Sequence, residues 1–257
     1  MTLRYLALLL LTPFWALSDV GTPTSYSFLK HREHKGVGYD TGYTSIDVMA
    51  SPIDFSFFYP FINIRGHVFN DGRFASNFGL AGRFILKENS GVFGANFFYD
   101  YRNSQIFSAQ QMGAGLEFFK GDLAFRANGY MPIGILKGQD HSHSQVALAN
   151  IDGEAEIGIL QSKNFTLFSA LGVYYLCGRS YNNKTFGKAW GSKLRITSTI
   201  YKWIEAGIDA TYDHIFNFTF QGYLALKIPF GGKNSHLQDL FQPIRRSEII
   251  PLQKESS

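Results

Sequence analysis

The sequence predicts an all-β fold, a closed antiparallel transmembrane β-barrel of about 12 strands. Three observations point there. From about residue 43 onward, apolar and polar residues alternate with period two in segment after segment, the repeat of a strand with one apolar and one polar face. Short breaks rich in Gly, Asn, Asp and Ser separate the segments, as hairpin turns require. Aromatic residues make up 16% of the chain and charged residues only 17%. An average soluble chain carries about 25% charged residues, so these rings need a surface other than water.

The chain opens with MTLRYLALLLLTPFWALSDV, in which Arg4 gives a positive start, Tyr5 to Leu11 an apolar core, and Ala16-Leu17-Ser18 a small-x-small site. This pattern predicts a secretory signal peptide over residues 1–18. The apolar run is shorter than the ~20 residues of a membrane helix, and Pro13 interrupts it. No later window approaches 18 uninterrupted apolar residues, and mean hydropathy is −0.08, so helical membrane spans are excluded. The single cysteine, Cys177, cannot form an internal disulfide and reads as a small apolar residue on a strand. Net charge is +4 and scattered, which argues against a nucleic-acid partner.

Taken in order, the alternating segments predict strands near 43–50, 54–69, 73–87, 91–101, 108–119, 122–131, 146–160, 165–177, 186–198, 202–213 and 216–230. In 73–87, Phe74, Phe78, Leu80, Phe84 and Leu86 oppose Asn77, Arg83 and Lys87. In 150–160, Ile151, Ala155, Ile157 and Ile159 oppose Asp152, Glu154 and Glu156, and in 202–213, Ile204, Ile208 and Tyr212 oppose Glu205, Asp209 and Asp213. The last segment sets Phe218, Phe220, Leu224, Leu226 and Ile228 against Asn217, Thr219, Gln221 and Lys227. Outer-membrane barrels have an even strand count. A twelfth strand is therefore expected within Tyr26 to Tyr39, where alternation is poor. With it, the two longest breaks, Pro132 to Gln145 and Gly178 to Thr185, fall at one end and the short turns at 51–53, 88–90, 120–121 and 161–164 at the other. Long outer loops and short periplasmic turns are the rule for such barrels.

Alternation alone does not say which face meets lipid; amounts do. A soluble barrel of ~8 strands fills its interior with side chains or one ligand, whereas about 12 enclose a lumen wide enough for charge. Lys227, Arg83, Arg126, Glu117, Glu154, Glu156 and Asp209 would line it. The predicted strands also exceed the ~5 to 6 residues usual in soluble sheets and meet the ~9 to 11 tilted residues that cross a bilayer. Closure follows because an unpaired backbone group in hydrocarbon costs several kcal/mol. Tyr43, Phe69, Tyr99, Tyr101, Trp190, Trp203 and Tyr212, near segment ends, suit interfacial girdles.

The stretches GANFFYDYR (94–102) and GAGLEFFKGDLAFRANGYMPI (113–133), with SIDVMASPI (45–53), ASNFGLAGRF (75–84) and FQPIRRSEII (241–250), resemble the barrel domain of the inverse autotransporters, the intimin and invasin family. The resemblance implies a twelve-stranded outer-membrane barrel over residues 19–230 that holds a linker in its pore. Because the sequence stops at Ser257, a short, passenger-free form is expected. The tail, residues 231–257, opens on Gly-Gly, contains Pro243 and Pro251 and loses alternation. Extended, it could reach ~90 Å against a ~30 Å hydrocarbon core. Part of it, around Leu237 to Arg246, is expected in the lumen as a plug; the alternative is a periplasmic end.

No catalytic, cofactor-binding or metal-binding residues are assigned. His141 and His143 form an H-S-H and His31, His34 and Lys35 cluster, but a zinc site needs three or four ligands with a supporting shell. Glu154 and Glu156 have the spacing of an acid/base pair and equally that of a polar lumen wall. Gly113-x-Gly115 is followed by no helix, so it is no nucleotide loop; on a strand, small residues ease close packing. The expected partners are outer-membrane lipid, the barrel assembly machinery, periplasmic chaperones and a host surface met by the outer loops, with no cofactor. The expected role is structural, surface-display or adhesion-related. The alternatives are a porin-like diffusion channel and a soluble secreted ligand-binding barrel.

Overall fold

The computed structural model describes residues 25–51, 57–86, 91–139, 143–181, 184–201, 203–230 and 242–256. The expected signal peptide at 1–18, His141 and residues 231–241 lie outside them. Twelve strands close into one antiparallel barrel: β1 (Ser25–Glu33), β2 (Tyr43–Ala50), β3 (Phe58–Phe69), β4 (Phe74–Ile85), β5 (Val92–Asn103), β6 (Ser108–Lys120), β7 (Leu123–Ile133), β10 (Ala149–Gln161), β11 (Phe165–Cys177), β14 (Ala189–Ile200), β15 (Ile204–Asp213) and β16 (Asn217–Phe230). β1 closes it, pairing with β16 from Ser25↔Phe230 to Glu33↔Gly222. This is the strand expected within Tyr26 to Tyr39. Its alternation is faint because its inward residues run Tyr26, Phe28, Lys30, apolar first and charged after.

The lipid face and the inner face follow the period-two pattern. In β16, Phe218 is 58% exposed and Leu224 60%, while Thr219 and Gln221 are 2% and 6% exposed. Short turns join strands at the end holding residues 121–122 and 162–164, the turn end; the loop end holds 34–42, 134–148 and 178–188. Gly72 and Gly121 adopt positive φ (83° and 57°) in tight turns, a conformation glycine enters without a Cβ penalty.

The loops carry structure of their own. β8 (Lys137–Gln139), β9 (His143–Ala147) and β17 (Leu252–Ser256) form a three-stranded sheet in the order β17-β9-β8, and β12 (Arg179–Tyr181) pairs with β13 (Lys184–Phe186). The strand expected at 146–160 is thus split at Leu148, whose amide donates to the carbonyl of Pro251 at 3.0 Å instead of a barrel neighbour. Two expected girdle aromatics also point the other way. Tyr43 and Phe69, each 2% exposed, face inward and pack with Ala75 and Ile249. An apolar residue of the tail gives them a drier partner than the interface would. Trp190, Trp203 and Tyr212 are exposed at 70%, 50% and 59%, as a girdle needs.

Candidate functional site

The lumen is the site, and residues 242–252 run through it. An inward side chain on a strand sees only what fills the barrel, and here the filling is the chain's own tail. At the turn end Ile244 packs among Tyr26, Phe28, Met49, Phe61 and Phe119. At the loop end Ile249 meets Tyr43 and Phe69, and Ile250 and Leu252 meet Ala109 and Ala147. The segment therefore enters at the turn end and leaves at the loop end, where β17 adds to β9 from Leu252↔Ala147 to Ser256↔His143.

Between these apolar collars the contacts are ionic. The Arg246 guanidinium donates to both oxygens of Asp100 at 2.7 Å each, in the bidentate geometry that makes such pairs strong. It stacks on Phe98 (4.2 Å to the ring centroid) and Tyr130 (5.1 Å). Gly113 makes the room: a Cβ there would stand 2.5 Å from Arg246 Nη2. The amide of Ser247 donates to the Tyr130 hydroxyl (2.8 Å), and Arg245 Nη2 donates to Glu205 (3.0 Å). The Glu248 carboxylate accepts from Lys30 Nζ (2.6 and 2.8 Å), the Tyr43 hydroxyl (2.9 Å) and Arg65 Nη1 (3.3 Å).

Backbone carbonyls of the tail are held as well, by Arg65 at Ile244 (2.8 Å) and Asn77 at Glu248 (2.9 Å). Arg102 Nη1 donates to the carbonyls of Ile250 and of Gly38, tying the tail to the β1–β2 loop. Gly38, at φ 79°, lies so close that a Cβ would meet Pro251 Cα and Leu252 N at 2.5 Å. An unpaired buried carbonyl costs about 1–3 kcal/mol, so these donors let a strandless segment pass through the barrel interior.

A second cluster belongs to the wall. Arg126 on β7 donates to Glu154 (3.1 Å) and Glu156 (3.0 Å) on its neighbour β10. Arg195 on β14 reaches the same two carboxylates across the intervening β11, at 3.0 Å to Glu154 Oε2 and 2.8 Å to Glu156 Oε2. Small inward residues on β11, Ala170 and Gly172, leave the path open. Both carboxylates are therefore clamped between guanidiniums within the lumen wall.

The other inward charges expected from the sequence are inside. Arg83 bonds Glu117 at 2.6 Å, Asp209 accepts from Arg32, and the Lys227 ammonium lies 4.9 Å from the Tyr26 ring centroid. His31 faces outward near the loop end, between Thr44 (2.9 Å) and Glu33 (2.7 Å). His143 is exposed in β9 and Cys177 is half-buried at the end of β11. What sequence reasoning passed over is the grip on the tail. Asn77, Phe98, Asp100, Arg102, Gly113 and Tyr130 all lie in the quoted family-like stretches, and the available signal was their inward parity.

Residues 60–150 match the family described as the inverse autotransporter β-domain. That span contains all six of the tail-gripping residues just named. Among solved structures, a membrane protein from a study of in-meso crystallization is similar over 91% of this chain and 100% of its own, with a TM-score of 0.69 at 15% identity. An outer-membrane channel from Pseudomonas putida F1 is similar over 82% of this chain and 96% of its own, with a TM-score of 0.59 at 11% identity. At such identities the likeness is one of fold. No curated protein matches the chain by sequence. A closed twelve-stranded barrel with an apolar outer face, matched to that family and to such barrels, is an outer-membrane β-barrel.

Proposed function

We propose that this outer-membrane barrel keeps its own C-terminal segment threaded through the lumen as a resident plug and presents the segment's end among the outer loops. Its role is then structural and surface-displaying, with contact to a host surface through the loop end, and it is neither an open diffusion channel nor an enzyme. Residues 1–18 act as the export signal, and periplasmic chaperones and the barrel assembly machinery deliver and insert the chain. The observation that carries this reading is the doubly hydrogen-bonded, buried Arg246–Asp100 pair in mid-lumen, flanked by apolar collars at both ends. A channel wall that has to stay open gains nothing from a tail whose charges complement its own.

Planar-bilayer recording tests it. The intact protein is expected to conduct weakly, and a variant lacking residues 242–256 several-fold more. Equal conductance in a deletion variant that still shows the heat-modifiable mobility of a folded barrel would remove the plug.

A further inference from the structure

The threaded segment does not fill the lumen completely. Beside it, against β1 and β14–β16, lies a cavity of about 170 Å³. A water's share of liquid volume is ~30 Å³, so there is room for about five waters, or for one small ion with part of its shell.

The charges around this space are lopsided although the network they belong to is close to balanced. Six cations line it: Lys30, Arg32, Lys193, Arg195, Arg245 and Arg246. Three carboxylates line it: Glu154, Asp209 and Glu248. The difference arises from layering. Lys193 bonds Asp152 at 2.9 Å, Arg195 bonds Glu156 at 2.8 Å, Arg245 bonds Glu205 at 3.0 Å and Arg246 bonds Asp100 at 2.7 Å. None of those four carboxylates lines the cavity. Arg245 and Arg246 have their counter-ions wholly outside the lining, while Lys30, Arg32, Lys193 and Arg195 also reach a lining carboxylate, so six cations share three carboxylates at the cavity. In an interior of low dielectric that excess of positive charge is weakly screened. The Nε atoms of Arg32 and Arg195 are in addition buried without a hydrogen-bond partner, an unmet donor capacity in two of the lining side chains.

We infer that this cavity is a binding site for a small inorganic anion, held between the threaded segment and the barrel wall. The site rests on the threaded reading, because the segment contributes Arg245, Arg246 and Glu248 to it. The volume admits only a small occupant, and the strands around it exclude lipid.

The test is crystallography of the full chain in lipid with sodium bromide, reading the anomalous signal of bromide. A peak is expected inside the cavity. In Lys193→Met, or Lys193→Gln should the first not fold, it is expected to fall several-fold while heat-modifiable mobility persists. Residues 242–252 in the lumen with no bromide peak beside them, or with a peak unchanged in both folded variants, would overturn the anion site and leave the threaded reading standing. Residues 242–252 absent from the lumen would overturn both.

Discussion

Replacing Arg246 or Asp100 with alanine, singly and together, probes the threaded segment where its burial is deepest. Both side chains are 1% exposed, and the pair is joined by two hydrogen bonds of 2.7 Å. Removing one member of a buried ion pair typically costs about 3–5 kcal/mol, because the survivor is left charged in a dry site. The two losses are unequal here. Without Arg246, Asp100 still accepts from Asn77 (2.8 Å) and Gln111 (3.2 Å), so its cost belongs near the lower figure. Without Asp100, Arg246 loses its only hydrogen-bonded carboxylate and keeps two ring faces, so its cost belongs near the upper one, capped by the free energy of docking, since the segment can withdraw. The double variant removes both charges and should cost less than the sum, with a coupling of about 2 kcal/mol. Urea unfolding of the intact protein in lipid vesicles reads all four corners of the cycle. Single variants that each cost under about 1 kcal/mol and add to within ~0.5 kcal/mol would show that the two groups do not meet, and would refute the threading.

Other perturbations separate the collar, the wall, the turns and the lipid face. Gly38→Ala puts a Cβ 2.5 Å from the backbone of Pro251 and Leu252 at a φ of 79°. The left-handed conformation alone costs about 1–2 kcal/mol, and protease should cut the 242–256 segment faster with the barrel intact. Gly172→Ala sets a Cβ 2.6 Å from Lys193 Cε and from the carbonyl of Gly153. Overpacking of this kind costs about 1–3 kcal/mol, readable as a lower urea midpoint; no change would mean that the wall charges do not cross β11. In the β3–β4 turn, the Arg73 side chain, 2.7 Å from Asp71, holds that carboxyl below its ordinary pKa. The folded pKa being the lower one, this stability is present at neutral pH and is lost as pH falls through the carboxylate range. Asp71 is 38% exposed, so the effect is under about 1 kcal/mol, and Arg73→Ala should flatten the acid limb of the stability curve. Nitroxides at Phe218 and Leu226 should be relaxed by lipid-dissolved oxygen and one at Gln221 should not; the reverse pattern would invert the barrel.

The lipid-facing half of the barrel was legible because period two is a local property: Phe218, Leu224 and Leu226 need only the hydrocarbon, whatever the rest of the chain does. The inner half is set by what fills it. Tyr43 and Phe69 sit at segment ends, where an aromatic suits a girdle equally well, and only Ile249 on the tail decides that they turn inward. Tyr26 and Phe28 blurred the first strand for the same reason, Ile244 being the apolar partner their inward positions answer to. Leu148 could not be recognised as a strand break because its amide is satisfied by Pro251, over a hundred positions away. The family-like stretches were visible as patterns, but the role of Asp100 or Gly113 needs the position of Arg246, and no spacing along the chain encodes that.

The order of residues in the segment explains why one threading register wins. Slips by two positions carry one charged residue of the segment into the place of another and are the dangerous alternatives. In the observed register Arg246 faces Asp100, and Glu248 faces Lys30 and Arg65. A slip by two toward the turn end would bring Glu248 to Asp100, setting two carboxylates together. A slip by two the other way would bring Arg246 to Lys30 and Arg65, setting three cations together. Both arrangements bury like charges side by side, which is costly in a low dielectric. Apolar collars alone discriminate less between registers, because hydrophobic contact is non-directional. The alternating signs between them make the barrel specific for one position of its own tail.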